Sequence, residues 1–161
     1  EISLGLVGSE MCIRDRIEGA VGGIVAADCK IGRMTYWAAN ATVPVNEISF
    51  RIVMTNVSSK PVTLSGDNFA TTLDGTPIPP FNFSARDVGD ADIWRTYDSL
   101  TIRPGEERSI ALAYEISQPT YDSWYKSSRT VAVSFTCGNQ RVTYTKNSRS
   151  DEITVSDIET L

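Results

Sequence analysis

The chain has no histidine at any of its 161 positions. Ser-His-Asp triads, Cys-His pairs and histidine-ligated zinc all need an imidazole, so the sequence excludes these catalytic and metal sites. The three cysteines show no CxxC spacing of the kind that zinc ribbons and thiol redox motifs use. We therefore expect no catalytic residue, no cofactor and no metal site, in a protein that is not an enzyme.

A surplus of positive charge is also missing. The chain carries 15 Lys and Arg against 20 Asp and Glu, which gives a formal net charge of −5. Nucleic acids and anionic membrane surfaces bind basic faces, so neither is expected as a partner. No run of about 18 apolar residues occurs, so no membrane-spanning segment is predicted. The 41% apolar content is enough for a packed core.

The first part of the sequence lacks any helical or strand periodicity. Residues 6–16 read Leu-Val-Gly-Ser-Glu-Met-Cys-Ile-Arg-Asp-Arg and resemble the translation of a transposase sequencing adapter. We interpret residues 1–16 as an adapter artefact from shotgun assembly that is not part of the fold. The alternative is a short natural strand near residues 2–7. Residues 17–29 are small and apolar, and they are interpreted as either a truncated leader or a Gly-rich first strand.

A period of two dominates the rest of the chain. Apolar residues alternate with polar ones in segments 47–56, 108–116 and 130–137, and Pro, Gly and Asn turn signals separate such segments. No window has a helical period. The pattern predicts an all-β fold, an immunoglobulin-like antiparallel β-sandwich of seven to nine strands over residues 30–147, followed by a polar tail at 148–161. The predicted core is Phe50, Ile52, Met54, Ile110, Leu112, Tyr114, Val131, Val133 and Phe135.

Four short segments carry more information than strand and turn patterns do. They read Asn-Val-Ser-Ser-Lys-Pro-Val at 56–62, Asp-Asn-Phe at 67–69, Leu-Asp-Gly at 73–75 and Arg-Pro-Gly-Glu at 103–106. As a set they resemble the bacterial telokin-like, immunoglobulin-like extracellular domain of unknown function. The resemblance implies a sandwich fold and export from the cytoplasm. It brings no catalytic residue, because that family has no known active site.

Cys29 and Cys137 flank the predicted core in sequence and are a candidate disulfide. Closing such a long loop would stabilise the fold by roughly 4–5 kcal/mol, and exported domains often use bonds of this kind. The alternative is that both are buried, unbonded thiols that pack as small hydrophobic side chains.

The aromatic residues offer the candidate ligand-facing positions. Trp124 and Tyr125 follow Pro119 in a polar stretch, and Trp94 lies in a long loop-rich segment, so these three are the candidates for contact with a ligand. Ordinary core and rim packing is the alternative. The acidic residues at 87, 90, 92 and 98 lack the spacing of a calcium loop, and a solvated loop is expected there.

These observations favour a noncatalytic interaction or structural module of an exported bacterial protein. Its expected location is extracytoplasmic, either secreted or attached to the cell envelope, with an unknown protein or cell-envelope partner. The alternative function is a carbohydrate-binding module that stacks sugars on exposed aromatics.

Overall fold

The computed structural model describes residues 2–4, 6–8 and 19–161. Strands are numbered in chain order. β1 (Ile2–Leu4) and β2 (Leu6–Gly8) pair with each other in a hairpin. The remainder of the adapter-like segment lies outside the described residues, so its interpretation stays a prediction.

The first main sheet has five antiparallel strands in the order β3-β4-β11-β8-β9. Its strands are β3 (Ile24–Tyr36), β4 (Val45–Asn56), β8 (Asn82–Arg86), β9 (Trp94–Thr96) and β11 (Glu107–Glu115). β3 contains a bulge, because Ala27 pairs with Val53 while Lys30 pairs with Arg51. Asp28, at the bulge, has a φ of 53°. The bulge restores the alternation of faces, so that Lys30 lies on the same side of the sheet as Arg51.

The second main sheet has six strands and contains the C-terminal region. Its members are β6 (Phe69–Leu73), β7 (Thr76–Ile78), β12 (Thr130–Cys137), β13 (Gln140–Asn147), β14 (Ile153–Val155) and β15 (Glu159–Thr160). β14 and β15 pair one after the other with the outer edge of β13. The segment 148–161 therefore adds two strands to the sandwich, where the sequence suggested only a polar tail.

The remaining elements are short connections between the two sheets. β5 (Val62–Leu64) pairs with β10 (Leu100–Ile102) in a separate two-stranded sheet. A single 3-10 turn spans Gly66–Asn68, and helix α1 spans Gln118–Asp122. Within the described parts of the chain, no helix has the length and apolarity needed to cross a bilayer.

The core lies between the two main sheets and confirms the predicted inward face. Every residue of the predicted core set is at most 1% exposed. Aromatic rings join the sheets: the Phe50 ring lies 6.1 Å from Phe69 and 5.8 Å from Tyr144, measured between ring centroids. The predicted all-β sandwich is thus confirmed. Residues 19–161 contain thirteen strands, since three-residue strands such as β5 and β9 are too short to show an alternating pattern.

The Gly-rich segment before β3 forms a tight reversal of the chain. Val21 and Ile24 exchange backbone hydrogen bonds of 2.9 and 3.0 Å around Gly22 and Gly23, whose φ angles are 58° and 86°. A Cβ atom on Gly22 would lie 2.5 Å from the Cys137 sulfur, so both the conformation and the space require glycine. Residues 24–29, which the sequence left open between leader and strand, lie in β3.

The fold assignment leads to a stability prediction at Leu112, which is 1% exposed between the sheets. Leu112→Ala should lower the free energy of unfolding by roughly 2–5 kcal/mol, through lost transfer energy and a residual cavity. Leu161→Ala is the matched control, because Leu161 is 60% exposed. Urea denaturation followed by tryptophan fluorescence measures both. Equal stability of the two variants would contradict this assignment of the core.

Candidate interaction surface

The segment 56–62 is organised by one buried amide. Asn56 is 0% exposed. Its Nδ2 donates to the carbonyl oxygens of Lys60 and Ile102, both at 2.8 Å, and its Oδ1 accepts from the backbone N–H and the hydroxyl of Ser58 at 2.9 and 2.7 Å. The turn after β4 therefore uses the side chains of Asn56 and Ser58, whereas Lys60 contributes only its backbone carbonyl.

The Pro-Gly turn docks on the backbone of the same asparagine. Asn56 donates its N–H to the Glu106 carbonyl at 3.1 Å and accepts from the Gly105 N–H at 2.8 Å. Gly105 has a φ of 80°, and the Glu106 carboxylate accepts from the Arg103 N–H at 2.9 Å. The segments 56–62 and 103–106 are consequently held together by the backbone hydrogen bonds of Asn56.

The other two segments are also structural. The Ser65 hydroxyl caps the 3-10 turn, and Asn68 Nδ2 donates to the Thr136 carbonyl on β12 at 3.0 Å. Asp74 accepts from the Thr130 N–H at 2.8 Å and from Arg129 at 3.0 Å. The Thr130 N–H, together with Arg129, lowers the pKa of the Asp74 carboxyl. These polar groups are thus occupied in turns.

The candidate disulfide is not formed, and both thiols are free. Cys137 Sγ lies 3.8 Å from the Gly22 carbonyl oxygen, opposite Gln140 on β13. Cys29 lines an apolar groove of about 440 Å³ together with Tyr144. Cys137 thus packs against the Gly22–Gly23 reversal, and Cys29 lies in the groove. Burial raises the pKa of Cys29 to about 12, so its thiol is a poor nucleophile.

The prediction that Trp124 faces a ligand is wrong. Its side chain is 0% exposed, and the Lys146 ammonium lies 5.9 Å from the ring centroid. The physical reason is α1, whose N-cap Ser117 starts a tight turn, after which Trp124 N–H donates to the Tyr121 carbonyl at 3.3 Å. This turn directs the indole into the core, although the surrounding sequence is polar.

Tyr125 is on the surface, with 59% of its area exposed. The Arg33 guanidinium lies 4.8 Å from its ring centroid and 4.3 Å from that of Tyr121. Arg33 Nη1 also donates to the Tyr121 carbonyl at 2.8 Å. Arg33 therefore fixes the two rings beside each other, and Tyr125 contributes an isolated aromatic position at the end of the sandwich.

Trp94 lies on the solvent side of the five-stranded sheet, which we call the outer face. Its ring contacts two guanidinium groups, with Arg86 at 5.1 Å and Arg51 at 5.3 Å from the centroid. Trp94 stands on the edge strand β9 and Arg51 on β4, so that β8 and β11 lie between them. The long side chains of Trp94 and Arg51 bridge this distance, and the small residues Ser84 and Ala111 line a cavity with Trp94.

Small residues line the middle of the outer face. Gly32, Ser49, Ala113 and Asn82 are cross-strand partners in one row, and Ala111 and Ser84 belong to the next row. A shallow cavity of about 220 Å³ lies over this area, and a second of about 430 Å³ lies beside it, next to Lys30, Arg51 and Arg86; the Trp94 side chain lines both. The outer face is thus a shallow depression, which we call the trough. Gly32, Ser49 and Ala113 lie along its middle, and the Trp94 side chain borders it.

Charges are separated along this trough. At one end, which we call the basic end, are the exposed side chains of Lys30, Arg51 and Arg86. At the other, the acidic end, Glu47 pairs across the sheet with Glu115. Among the described residues none of these five takes part in a salt bridge.

Glu47 is the most buried of the five, with 5% of its area exposed. Burial, and after it the charge of Glu115, raises the pKa of the Glu47 carboxyl. The Asp28 carboxylate lines the cavity at the basic end and partly offsets the positive charge there. The trough therefore has charges of both signs that form no ion pair among the described residues.

The sequence reading missed this surface, except for Trp94. One signal was available, because Glu47, Ser49 and Arg51 occupy alternate positions opposite the predicted core residues. Their cross-strand neighbours Lys30 and Glu115 come from distant parts of the chain. Only the strand register brings them together, and a single sequence does not specify it.

The acidic loop between β8 and β9 forms a turn that supports Trp94. The Asp87 carboxylate accepts from the Gly89 N–H and the Arg95 guanidinium, both at 2.8 Å, and these contacts lower its pKa. Asp90 Oδ1 accepts from the Asp92 N–H at 3.0 Å. Across the described ranges, no group of three His, Cys, Asp or Glu side chains is placed to hold a metal ion.

Comparison with known proteins gives structural neighbours only. No family model matches the chain, so its resemblance to the telokin-like domain is not confirmed. No curated protein matches it either. An uncharacterized β-sandwich protein from Clostridium difficile 630 is similar at 13% identity and a TM-score of 0.47, covering 76% of this chain and 83% of that one.

Two further solved structures match at comparably low identity. A candidate lipoprotein from Bacillus subtilis shares 10% identity at a TM-score of 0.46, with 81% of this chain but only 38% of that chain covered. A functionally unknown protein from Listeria monocytogenes EGD-e shares 12% identity at a TM-score of 0.37, covering 73% and 78% of the two chains. These similarities assign no function.

The hydrogen bonds of Asn56 predict a specific defect. Asn56→Asp keeps the size of the side chain but removes both N–H donors, which leaves two buried carbonyls facing a carboxyl group. The unfolding free energy should fall by about 2–4 kcal/mol, since each buried unpaired group costs roughly 1–3 kcal/mol. Asn139→Asp, at an exposed hairpin position, is the control. Urea melts that fail to separate the two variants would contradict the role of Asn56.

The free thiols predict an alkylation pattern. In urea without reductant, iodoacetamide should label both Cys29 and Cys137, as peptide mass mapping will show. In the native protein, Cys29 should react very slowly, because burial raises the pKa of its thiol and so lowers the thiolate fraction. A Cys29–Cys137 peptide pair that appears only after reduction would contradict the free-thiol arrangement.

Proposed function

We propose that this chain is a noncatalytic interaction module of an exported bacterial protein, and that its outer face binds an acidic surface of a protein partner. The basic end of the trough carries the proposal. Lys30, Arg51 and Arg86 are exposed and without ion pairs among the described residues, although the chain as a whole has a net charge of −5. A local concentration of positive charge on an acidic protein favours an acidic partner.

The surroundings of these cations support binding over mere solvation. Trp94 holds the Arg51 and Arg86 guanidinium groups near its ring, which limits their conformational freedom before any partner arrives. Arginine is also suited to paired hydrogen bonds with carboxylates. The small residues beside the cations leave room for a backbone or side chain to approach the sheet.

The carbohydrate-binding alternative has one observation in its favour, the position of Trp94 beside a cavity of about 430 Å³. Sugar stacking needs an accessible aromatic face. Two guanidinium groups already contact the Trp94 ring, Trp124 is buried, and Tyr125 lies beside Arg33 away from the trough. The outer face therefore favours an acidic partner. Binding of a sugar instead is one possible outcome of the titration described next.

The proposed function predicts binding of a simple acidic probe. Hexaglutamate should bind the chain at low salt, and Arg51→Ala combined with Arg86→Ala should weaken the binding roughly tenfold or more. The control is Arg149→Ala, which removes an exposed charge elsewhere. Isothermal titration calorimetry at low and high salt measures the affinity, which should fall as salt screens the charges.

Two results of this titration would count against the proposal. Equal affinity of the double variant and the wild type would show that the acidic probe binds elsewhere. Binding of cellohexaose with a change in Trp94 fluorescence, and no binding of hexaglutamate, would favour the carbohydrate-binding alternative.

A further inference from the structure

We infer that the acidic surface recognised by the outer face is the acidic end of a second copy of this chain, in a twofold dimer. The inference rests on the proposed function and names its partner. It derives from one strand, β4, whose outward side chains are Glu47, Ser49 and Arg51 in order. These positions are spaced by two residues, so Glu47 and Arg51 lie on opposite sides of Ser49 at about 6–7 Å each.

In this dimer the twofold axis passes through the Ser49 region. It lies in the interface and is perpendicular to the strands, so it reverses the strand direction in the second copy. Arg51 of one chain then faces Glu47 of the other, and the same contact recurs in the opposite sense. Such an isologous interface needs a self-complementary patch, and a patch with opposite charges on either side of its centre satisfies that condition.

The neighbouring strands extend the same charge separation. Lys30 on β3 pairs with Arg51, and Arg86 on β8 lies toward the same end of the sheet. Glu115 on β11 pairs with Glu47 at the other end. Reversal about the axis therefore places each basic end over the partner's acidic end, and no like charges are brought together.

The centre of the trough permits close approach of two sheets. Stacked sheets are usually about 10 Å apart, a distance set by the side chains between them. Gly32, Ser49 and Ala113 form the central row and project little. Tyr36 stands on the edge strand β3, and Trp94 stands on the edge strand β9 with its ring close to the Arg51 guanidinium of β4.

Glu47 also favours a cationic partner. It has no salt bridge among the described residues, and Glu115 lies directly across the strand pair. A buried carboxylate beside a like charge is costly, and an arginine from a second copy would offset that cost.

The size of the face predicts a weak association. Five strands by about four outward rows cover roughly 20 Å by 20 Å, which is less than the ~800 Å² per partner of a stable complex. We therefore expect a reversible dimer that forms in the range of tens to hundreds of micromolar and that salt weakens.

Sedimentation velocity from about 5 µM to about 1 mM tests the dimer directly. The wild type should show a concentration-dependent monomer–dimer equilibrium. In Arg51→Glu, positions 47 and 51 on either side of the axis are both acidic. In Glu47→Arg, both positions are basic. Each variant alone should remain monomeric, while Arg149→Glu, with the same change in net charge as Arg51→Glu, should dimerise like the wild type.

Mixing the two single variants gives the decisive result. The acidic face of Arg51→Glu is complementary to the basic face of Glu47→Arg, so a 1:1 mixture should form a heterodimer although neither component self-associates. Recovery in the mixture also shows that both variants are folded. If Glu47→Arg melts early, Glu115→Arg replaces it, because Glu115 is exposed.

The outcomes separate this inference from the proposed function. A wild type that stays monomeric at about 1 mM, with hexaglutamate still bound through Arg51 and Arg86, overturns the dimer and leaves a different acidic protein as partner. Dimerisation that is unaffected by Arg51→Glu also overturns it. Failure of both dimerisation and hexaglutamate binding overturns the proposed function as well.

Discussion

The satisfied amide of Asn56 is the interaction on which the other features of the sandwich depend. Its side chain makes four hydrogen bonds and its backbone two more, and the next N–H, that of Val57, donates to the Gly23 carbonyl at 2.9 Å. The end of β4 is thereby tied to the Gly22–Gly23 reversal, to β10 and to the turn before β11. A buried polar group of this kind is stabilising only when all its partners are present, so these segments must be placed together.

Fixing the end of β4 also fixes the two faces of the central strand. A register shift of one residue would bring Glu47 and Arg51 into the core and expose Phe50. The bulge in β3 fixes the two faces of that strand. Without its extra residue, Lys30 would not lie on the outer face beside Arg51. The charge pattern of the trough is therefore a consequence of the packing constraints at the strand ends, even though no charged side chain of the trough takes part in them.

The sequence predicts the interior of this protein much better than its surface. Phe50, Leu112 and Val133 were assigned to the core because a period of two identifies the inward face without knowledge of the partner strand. The exposure of Trp124 is predicted wrongly because the five-residue helix before it turns the chain, so that the indole points into the core. The Cys29–Cys137 bond was a plausible guess that needed a distance, and distances depend on register. The pairing of Lys30 with Arg51, and of Glu115 with Glu47, depends on long-range strand order, which a single sequence does not state.

The division of roles between buried and exposed polar residues argues for a binding function. Asn56, Asn68 and Asp74 use their hydrogen-bonding groups within turns, so they are not available to a ligand, while Lys30, Arg51 and Glu47 form no ion pair among the described residues. Because Cys29 and Cys137 are free, the proposal of export rests on the resemblance of the turn segments and not on a disulfide. The proposed recognition rests on neither, because the charge pattern of the outer face is set by strand register, and register is set by the core and by Asn56.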